Sequence, residues 1–132
     1  MLIYCDTSAL VKLVIVETET PHLIAWLDGF ADLALTSSSV VRTELVRAIR
    51  SHSAEKVAKA RLLIDGLSLV AFDDELFDAA GELEPPALRS LDALHVASAQ
   101  RLGSTLTAMV TYDKRMIDAA RATGLSVHHP GA

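Results

Sequence analysis

The sequence predicts an α/β fold, a central parallel β-sheet of about four or five strands flanked by helices. Three observations carry this expectation. Apolar runs of strand length alternate with longer amphipathic stretches along the chain, the pattern of strands joined by crossover helices. Most of the runs are followed by a helix-start signal of Ser, Thr, Asp or Pro. The chain has 132 residues with no Gly/Ser linker, Pro-rich tract or internal repeat, so residues 1–132 read as a single domain.

Taken in order, Leu2-Ile3-Tyr4-Cys5 reads as a buried strand ending at Asp6. Ser8 is placed to cap a helix through Leu10, Val11, Leu13 and Val14. Thr20-Pro21 joins an N-cap residue to a first-turn proline and starts a helix through Leu23, Ile24 and Leu27 that stops near Gly29. Leu33-Ala34-Leu35-Thr36 is a short second strand. Ser38 or Ser39 caps a helix carrying Val40, Val41, Leu45, Ala48 and Ile49, and residues 54–65 form another, ended by Gly66. Leu67 to Phe72 is a third strand. Asp73-Asp74-Glu75 opens the next helix, where acids suit the positive end of the dipole. Pro85-Pro86 forces a break. Ser90 caps a helix through Leu91, Leu94 and Ala97. Leu106 to Thr111 is a fourth strand, Asp113 to Gly124 a last helix, and Leu125-Ser126-Val127 an edge strand.

Composition narrows the function classes. Hydrophobic residues are 51% of the chain and charged residues 22%, enough for a packed core and too apolar for disorder. The single cysteine, Cys5, excludes an internal disulfide and a zinc site of four cysteines, or of two cysteines and two histidines. No apolar run approaches the ~18–20 residues of a membrane span, and no signal peptide is visible. The expectation is a cytoplasmic protein without a membrane partner. Seventeen acids against twelve basic residues give a formal charge of −5, which on its face opposes a nucleic-acid partner, since phosphates attract basic surfaces.

Four carboxylates change that inference. Ligands of parallel sheets lie beyond the carboxyl ends of the strands. Asp6 directly follows the first strand, and Asp113 follows the fourth. Glu44 lies beside the apolar stripe of its helix, and Asp92 sits in the first turn of an almost wholly apolar one. A buried carboxylate costs several kcal/mol unless paired or metal-bound. Singly, each has a plain structural role: Asp6 and Asp113 as caps, Asp92 as a first-turn acid, Glu44 as a flank residue. Jointly, four acids on four separate elements can converge on one crevice. They would repel one another and some would take up protons. A divalent cation resolves this, and an all-oxygen set favours Mg²⁺ or Mn²⁺. Such sites serve phosphoryl chemistry with one ion or two. Setting the four aside leaves the rest of the chain close to neutral, so the acidity does not exclude RNA.

The same residues resemble a known family. Residues Leu2 to Val11, with Asp6-Thr7-Ser8 at their centre, resemble the opening of PIN-domain ribonucleases. Arg42-Thr43-Glu44-Leu45 resembles the helix bearing the family's Glu, Leu91-Asp92-Ala93-Leu94-His95-Val96-Ala97-Ser98-Ala99 its central Asp motif, and Val110-Thr111-Tyr112-Asp113 its late Thr-x-Asp motif. The ordered set spans essentially the whole chain and is most similar to VapC toxins of bacterial toxin–antitoxin pairs. The resemblance implies a PIN fold and an Mg²⁺- or Mn²⁺-dependent endoribonuclease. It implies Asp6, Glu44, Asp92 and Asp113 as the acidic site, with hydroxyls from Thr7 or Ser8 and from Thr111 nearby. It also implies a homodimer and inhibition by a cognate VapB antitoxin. On this reading Asp6 and Asp113 hold the ion, Asp92 ligates directly or through water, and Glu44 orients a water or serves as base. Asp118, five residues beyond Asp113, is turned about 140° away along a helix and does not share the metal.

Other residues read more plainly. His95 is expected as a core histidine with one hydrogen bond, Cys5 as a small hydrophobe, Trp26 as a packing residue and His128-His129 as a fraying terminus. Tyr112 is either core packing or a base-stacking residue. Residues 42–61 carry Arg42, Arg47, Arg50, Lys56, Lys59 and Arg61 against Glu44 and Glu55, which is either an RNA-backbone grip or a solvated hairpin. Arg89, Lys114 and Arg115 border the crevice and are stronger RNA contacts. Two other functions fit part of the pattern. One is a receiver-type signalling domain with an Mg²⁺ pocket, although Cys5-Asp6 lacks its paired acids. The other is a non-catalytic PIN-like binding module.

Overall fold

The computed structural model describes residues 1–132. Five parallel strands form one sheet: β1 (Leu2–Cys5), β2 (Ala34–Ser38), β3 (Ser68–Val70), β4 (Ala108–Val110) and β5 (Val127–His128). Their spatial order is β3-β2-β1-β4-β5. The chain builds outward from β1 through β2 to β3, then returns to lay β4 on the other side of β1. The order reverses between β1 and β4, and an open α/β sheet leaves its ligand crevice at that point. A receiver domain has the order 2-1-3-4-5, so this topology decides against that alternative.

Seven helices cover the sheet: α1 (Thr7–Val14), α2 (Thr20–Asp28), α3 (Val41–Ile49), α4 (Ala54–Asp65), α5 (Asp74–Gly81), α6 (Ser90–Arg101) and α7 (Lys114–Ala122). Alternation along β1 sorts them into two layers. Ile3 and Cys5 join the core formed with Leu10, Leu23, Leu45 and Ile64 from α1 to α4. Tyr4, between them, joins Val96, Met109, Met116 and Ala120 on the α6–α7 face. A smaller cluster of Leu76, Ala80, Ala93 and Ala97 seats α5 on α6.

Several boundaries differ from the sequence expectation. Asp6, not Ser8, caps α1, accepting from the Ala9 N–H at 3.0 Å. Thr20 is the first residue of α2 and does not cap it; its hydroxyl donates instead to the Lys12 carbonyl in the last turn of α1 at 2.8 Å. Val40 stands at the N-cap of α3, while Ser38 accepts from the Val40 N–H. Arg89 precedes α6 without a side-chain cap, so Ser90 opens the helix and does not cap it. The third and fourth strands are shorter than their apolar runs. His128 is not frayed: it lies in β5, with its ring 5.1 Å from Trp26, which packs on Phe30 as well.

Two polar devices hold this frame. The buried Ser37 hydroxyl on β2 donates to the Cys5 carbonyl on β1 at 2.6 Å, directly behind Asp6. On α1, Lys12 is nearly buried, pairs with Glu19 at 2.8 Å and Glu17 at 3.5 Å, and lies 4.6 Å from the centre of the Tyr112 ring. Tyr112 also donates to the Pro130 carbonyl at 2.8 Å, which makes it a packing residue. Ser37→Ala should lower unfolding free energy by about 1–3 kcal/mol, the scale of a buried acceptor left unpaired, read as a lower urea midpoint with unchanged slope. The hydrogen bond from Lys12 holds the Glu19 carboxyl below its ordinary 4.5. Its stabilisation is therefore complete above the unfolded value and lost as pH falls through the lower folded one. Melting curves between pH 7 and pH 3 should show that Glu19→Gln loses less stability on acidification than the native protein.

Candidate active site

The carboxyl ends of β1 and β4 lie side by side, with Cys5 opposite Val110 and the Asp6 N–H bonded to the Val110 carbonyl at 3.2 Å. Asp6 leaves β1 at this edge and is 1% exposed. Its Oδ1 accepts from the Ser8 hydroxyl at 2.7 Å as well as from Ala9, and its Oδ2 accepts from the Thr111 hydroxyl at 2.6 Å. Burial pushes its carboxyl up, against the lowering effect of His95, Ser8, Thr111 and Ala9. A carboxylate offers about four lone-pair sites, and three are used, leaving one on Oδ2. Thr7, Ser8 and Thr111 thus all stand at the site, but with different partners. Ser8 and Thr111 belong to Asp6, and Thr7 belongs to Glu44.

Asp113 follows β4 and caps α7, accepting from the N–H groups of Arg115 and Met116 at 2.9 and 3.4 Å. Its own N–H donates to Thr111 Oγ1 at 3.2 Å. Asp92, in the first turn of α6, is the unsatisfied member. Its Oδ2 is buried without a hydrogen-bond partner, and the nearest cation, Arg89 Nε, is 3.8 Å away. Burial raises the Asp92 carboxyl, and the charge of Asp113 raises it further; Arg89 and His95 lower it, and Asp6 again raises it. Asp92, on α6, thus feels the charge of Asp113 at the start of α7 and of Asp6 just after β1.

Glu44 projects from α3 on the opposite face. The Thr7 hydroxyl donates to its Oε1 at 2.8 Å, and His95 Nε2 lies 2.8 Å from the same oxygen. Burial would raise the Glu44 carboxyl, but the hydrogen bond and charge of His95 and the Thr7 hydroxyl together hold it below its ordinary value. His95 Nδ1 in turn meets the Tyr4 hydroxyl at 2.7 Å. Burial, then the charge of Asp6, push that hydroxyl up, so it stays a hydroxyl. The expectation of a core histidine with one hydrogen bond is corrected here. His95 is buried, yet both ring nitrogens are engaged, one of them by a site carboxylate. The signal available was its position one turn after Asp92 in an otherwise apolar helix.

The four acids do not close into a ligand cage: no group of three or more His, Cys, Asp or Glu side chains is arranged to hold a metal ion. The reason is local. Asp6, Glu44 and Asp113 each direct an oxygen to donors of their own neighbourhood. The chemistry still fits a hard divalent cation, because the donors are all oxygen and Asp92 brings a buried, unpartnered oxygen facing two like charges. Among the basic residues, Arg42, Arg89, Lys114 and Arg115 are exposed. Arg115 also lines a groove of about 660 Å³ between residues 84–88 and α7, with Pro85, Leu88 and Asp118.

Comparison with known proteins bears on this geometry. Residues 3–122 match the PIN-domain family. Ribonuclease VapC35 of Mycobacterium tuberculosis is 43% identical over 132 residues, covering 98% of both chains. The crystal structure of VapC20 from the same organism, a sarcin-ricin-loop-cleaving toxin, superposes with a TM-score of 0.76 at 15% identity over 97% of this chain and 99% of that one. The VapBC2 complex of Rickettsia felis, bound to a promoter DNA fragment, gives 0.72 at 17% identity over 98% and 99%. At these identities the two structures speak for the fold alone.

The Asp92 arrangement makes a stability prediction. A carboxyl whose folded pKa is raised favours the fold below its unfolded value and loses that contribution as pH rises through the folded one. Asp92→Asn should therefore melt a few degrees above the native protein in chelator-treated buffer at pH 7, with the gap closing toward pH 4. Equal or lower melting at pH 7 would refute the repulsion.

Proposed function

Because this chain belongs to the PIN-domain family and to its VapC ribonucleases, we propose that it is a single PIN domain acting as a metal-dependent endoribonuclease, the toxin of a type II toxin–antitoxin pair. The observation that supports the reading is a buried, unpaired oxygen of Asp92 whose carboxyl feels the charges of Asp113 and Asp6, the two acids that follow the strands at the point where strand order reverses. Asp92, Asp6 through its remaining Oδ2 site, and Asp113 would hold Mg²⁺ or Mn²⁺, with Glu44 at the rim. Bound there, the ion supplies Lewis-acid polarisation of a phosphoryl oxygen and lowers the pKa of water.

The chain's own residues do the rest. Ser8 and Thr111 fix the Asp6 carboxylate so that it cannot rotate away from the crevice. Glu44, held ionised by His95 and Thr7, is an acceptor for the proton of an attacking water. Arg42, Arg89, Lys114 and Arg115, all exposed and within three residues of a site acid in sequence, would grip the phosphates on either side of the scissile bond. In-line attack by water leaves 5′-phosphate and 3′-hydroxyl ends. A VapB-type antitoxin and a second copy of this chain are the proposed protein partners. No helix is long and apolar enough to cross a membrane.

Asp6→Asn and Asp113→Asn should each reduce RNA cleavage at least about 100-fold, the scale of losing a site's charge stabilisation, while far-UV circular dichroism stays native. EDTA should abolish cleavage by the native protein and Mn²⁺ restore it. Undiminished cutting by either variant, cleared of contaminating nuclease, would refute the site. A native protein that cuts no RNA with Mg²⁺ or Mn²⁺ would instead favour a non-catalytic binding module.

A further inference from the structure

We infer that His95 is the positioning residue for Glu44: anchored on Tyr4, it joins Thr7 in locking one oxygen of the Glu44 carboxylate, leaving the other as that group's free acceptor. The inference rests on the role given to Glu44 above and adds how that role is set up.

The torsion that turns a Glu carboxylate is a broad, nearly two-fold rotor, so one hydrogen bond would leave its two oxygens free to exchange. Here two donors converge on Oε1, Thr7 Oγ1 and His95 Nε2, each at 2.8 Å. None of the protein's hydrogen bonds reaches Oε2. The donors come from α1 and α6, and Glu44 comes from α3, so the carboxylate is held from both layers of the fold. His95 is itself fixed from behind. Its Nδ1 meets the Tyr4 hydroxyl at 2.7 Å, and the two rings sit edge to face with centroids 5.9 Å apart. Tyr4 is fully buried in the α6–α7 core and leaves the ring little freedom. A histidine serving only to fill space would not need both nitrogens committed to side chains from different elements. An ionised carboxylate only accepts, so Nε2 must carry the proton it shares with Oε1.

Three measurements test this. Long-range ¹H–¹⁵N spectra of the metal-free protein should show His95 protonated on Nε2; an unprotonated Nε2 would overturn the proposal. With a labelled RNA oligonucleotide chosen from a random pool as a native substrate, His95→Leu should lower kcat about 10–100-fold, the usual effect of removing an outer partner of a site ligand, with KM unchanged. His95→Gln, which keeps a donor at similar reach, should recover most of kcat. Native kcat in the Leu variant, or equal losses in Leu and Gln, would overturn it. If His95→Leu does not fold, Tyr4→Phe decides, since it removes one oxygen: a several-fold lower kcat at constant KM is expected, and an unchanged kcat would overturn the anchor. Failure of the native protein to cut any RNA would count against the proposed function alone, because the ring spectrum still judges the clamp.

Discussion

A carboxylate with 1% of its surface exposed has lost water as a hydrogen-bond partner and needs fixed donors in its place, and Asp6 obtains its donors from two directions. Ser8 and the Ala9 N–H come from its own chain, at the start of α1. Thr111 comes from the end of β4, 105 residues away. The Thr111 bond forms only if β1 and β4 terminate in register, as the Cys5 and Val110 pairing and the Asp6 to Val110 backbone bond ensure. A shift of one residue would turn Thr111 to the other face and leave Asp6 Oδ2 without its donor. The same register delivers Asp113 two residues later, and the return of the chain from β3 to β4 brings α6 with Asp92 alongside. Satisfying one buried acid thus fixes the strand pair on which the others depend.

Much of this was legible because strand ends are local features. The run Leu2 to Cys5 ends at the polar Asp6, and the run Ala108 to Val110 ends at the polar Thr111, with Asp113 two residues on. Helix starts were less legible, for a physical reason. Ser8 and Ser90 have the composition of caps, but at the first a stronger acceptor lies nearby. Asp6 takes the cap and Ser8 turns back to donate to it. At Thr20 the hydroxyl finds a carbonyl on the preceding helix, a tertiary partner that no window around residue 20 contains. Propensity names the residues able to cap; competition among nearby acceptors decides which one does.

His95 was the larger gap. Its anchor and its target are 91 and 51 residues away, one in a strand and one in a helix on the opposite layer. Periodicity marks His95 as inward-facing on α6, and inward-facing reads as core. What periodicity does not show is that the interior beside His95 is polar at that height, because Tyr4 and Glu44 arrive there from other elements. The four acids posed the reverse problem. The topology sets them at the same end of the sheet, yet Asp6, Glu44 and Asp113 direct oxygens to separate donors, Asp92 Oδ2 finds none, and no common cage forms. Backbone placement is encoded in the order of elements, whereas side-chain direction answers to whichever donor is within reach.

The net charge of −5 is a poor guide to what this crevice attracts, and the placement of charge shows why. Screening at physiological salt leaves a charge little influence beyond about 8 Å. The acidic stretch around α5 is in part internally compensated, since Asp73 holds Arg101 through two bonds at 2.9 and 2.7 Å. At the crevice the pattern is finer. Arg42 lies two residues before Glu44, Arg89 three before Asp92, and Lys114 and Arg115 immediately after Asp113. Three of the four site acids therefore share a helix start with an exposed cation. On the proposed function, an RNA backbone approaching this edge would meet these exposed cations as well as the carboxylates. Those carboxylates would repel a phosphate unless a divalent ion neutralised them. On that reading, exposed cations near an acidic centre would let the chain hold a polyanion beside a metal site, a separation of charge that a sum over all residues averages away.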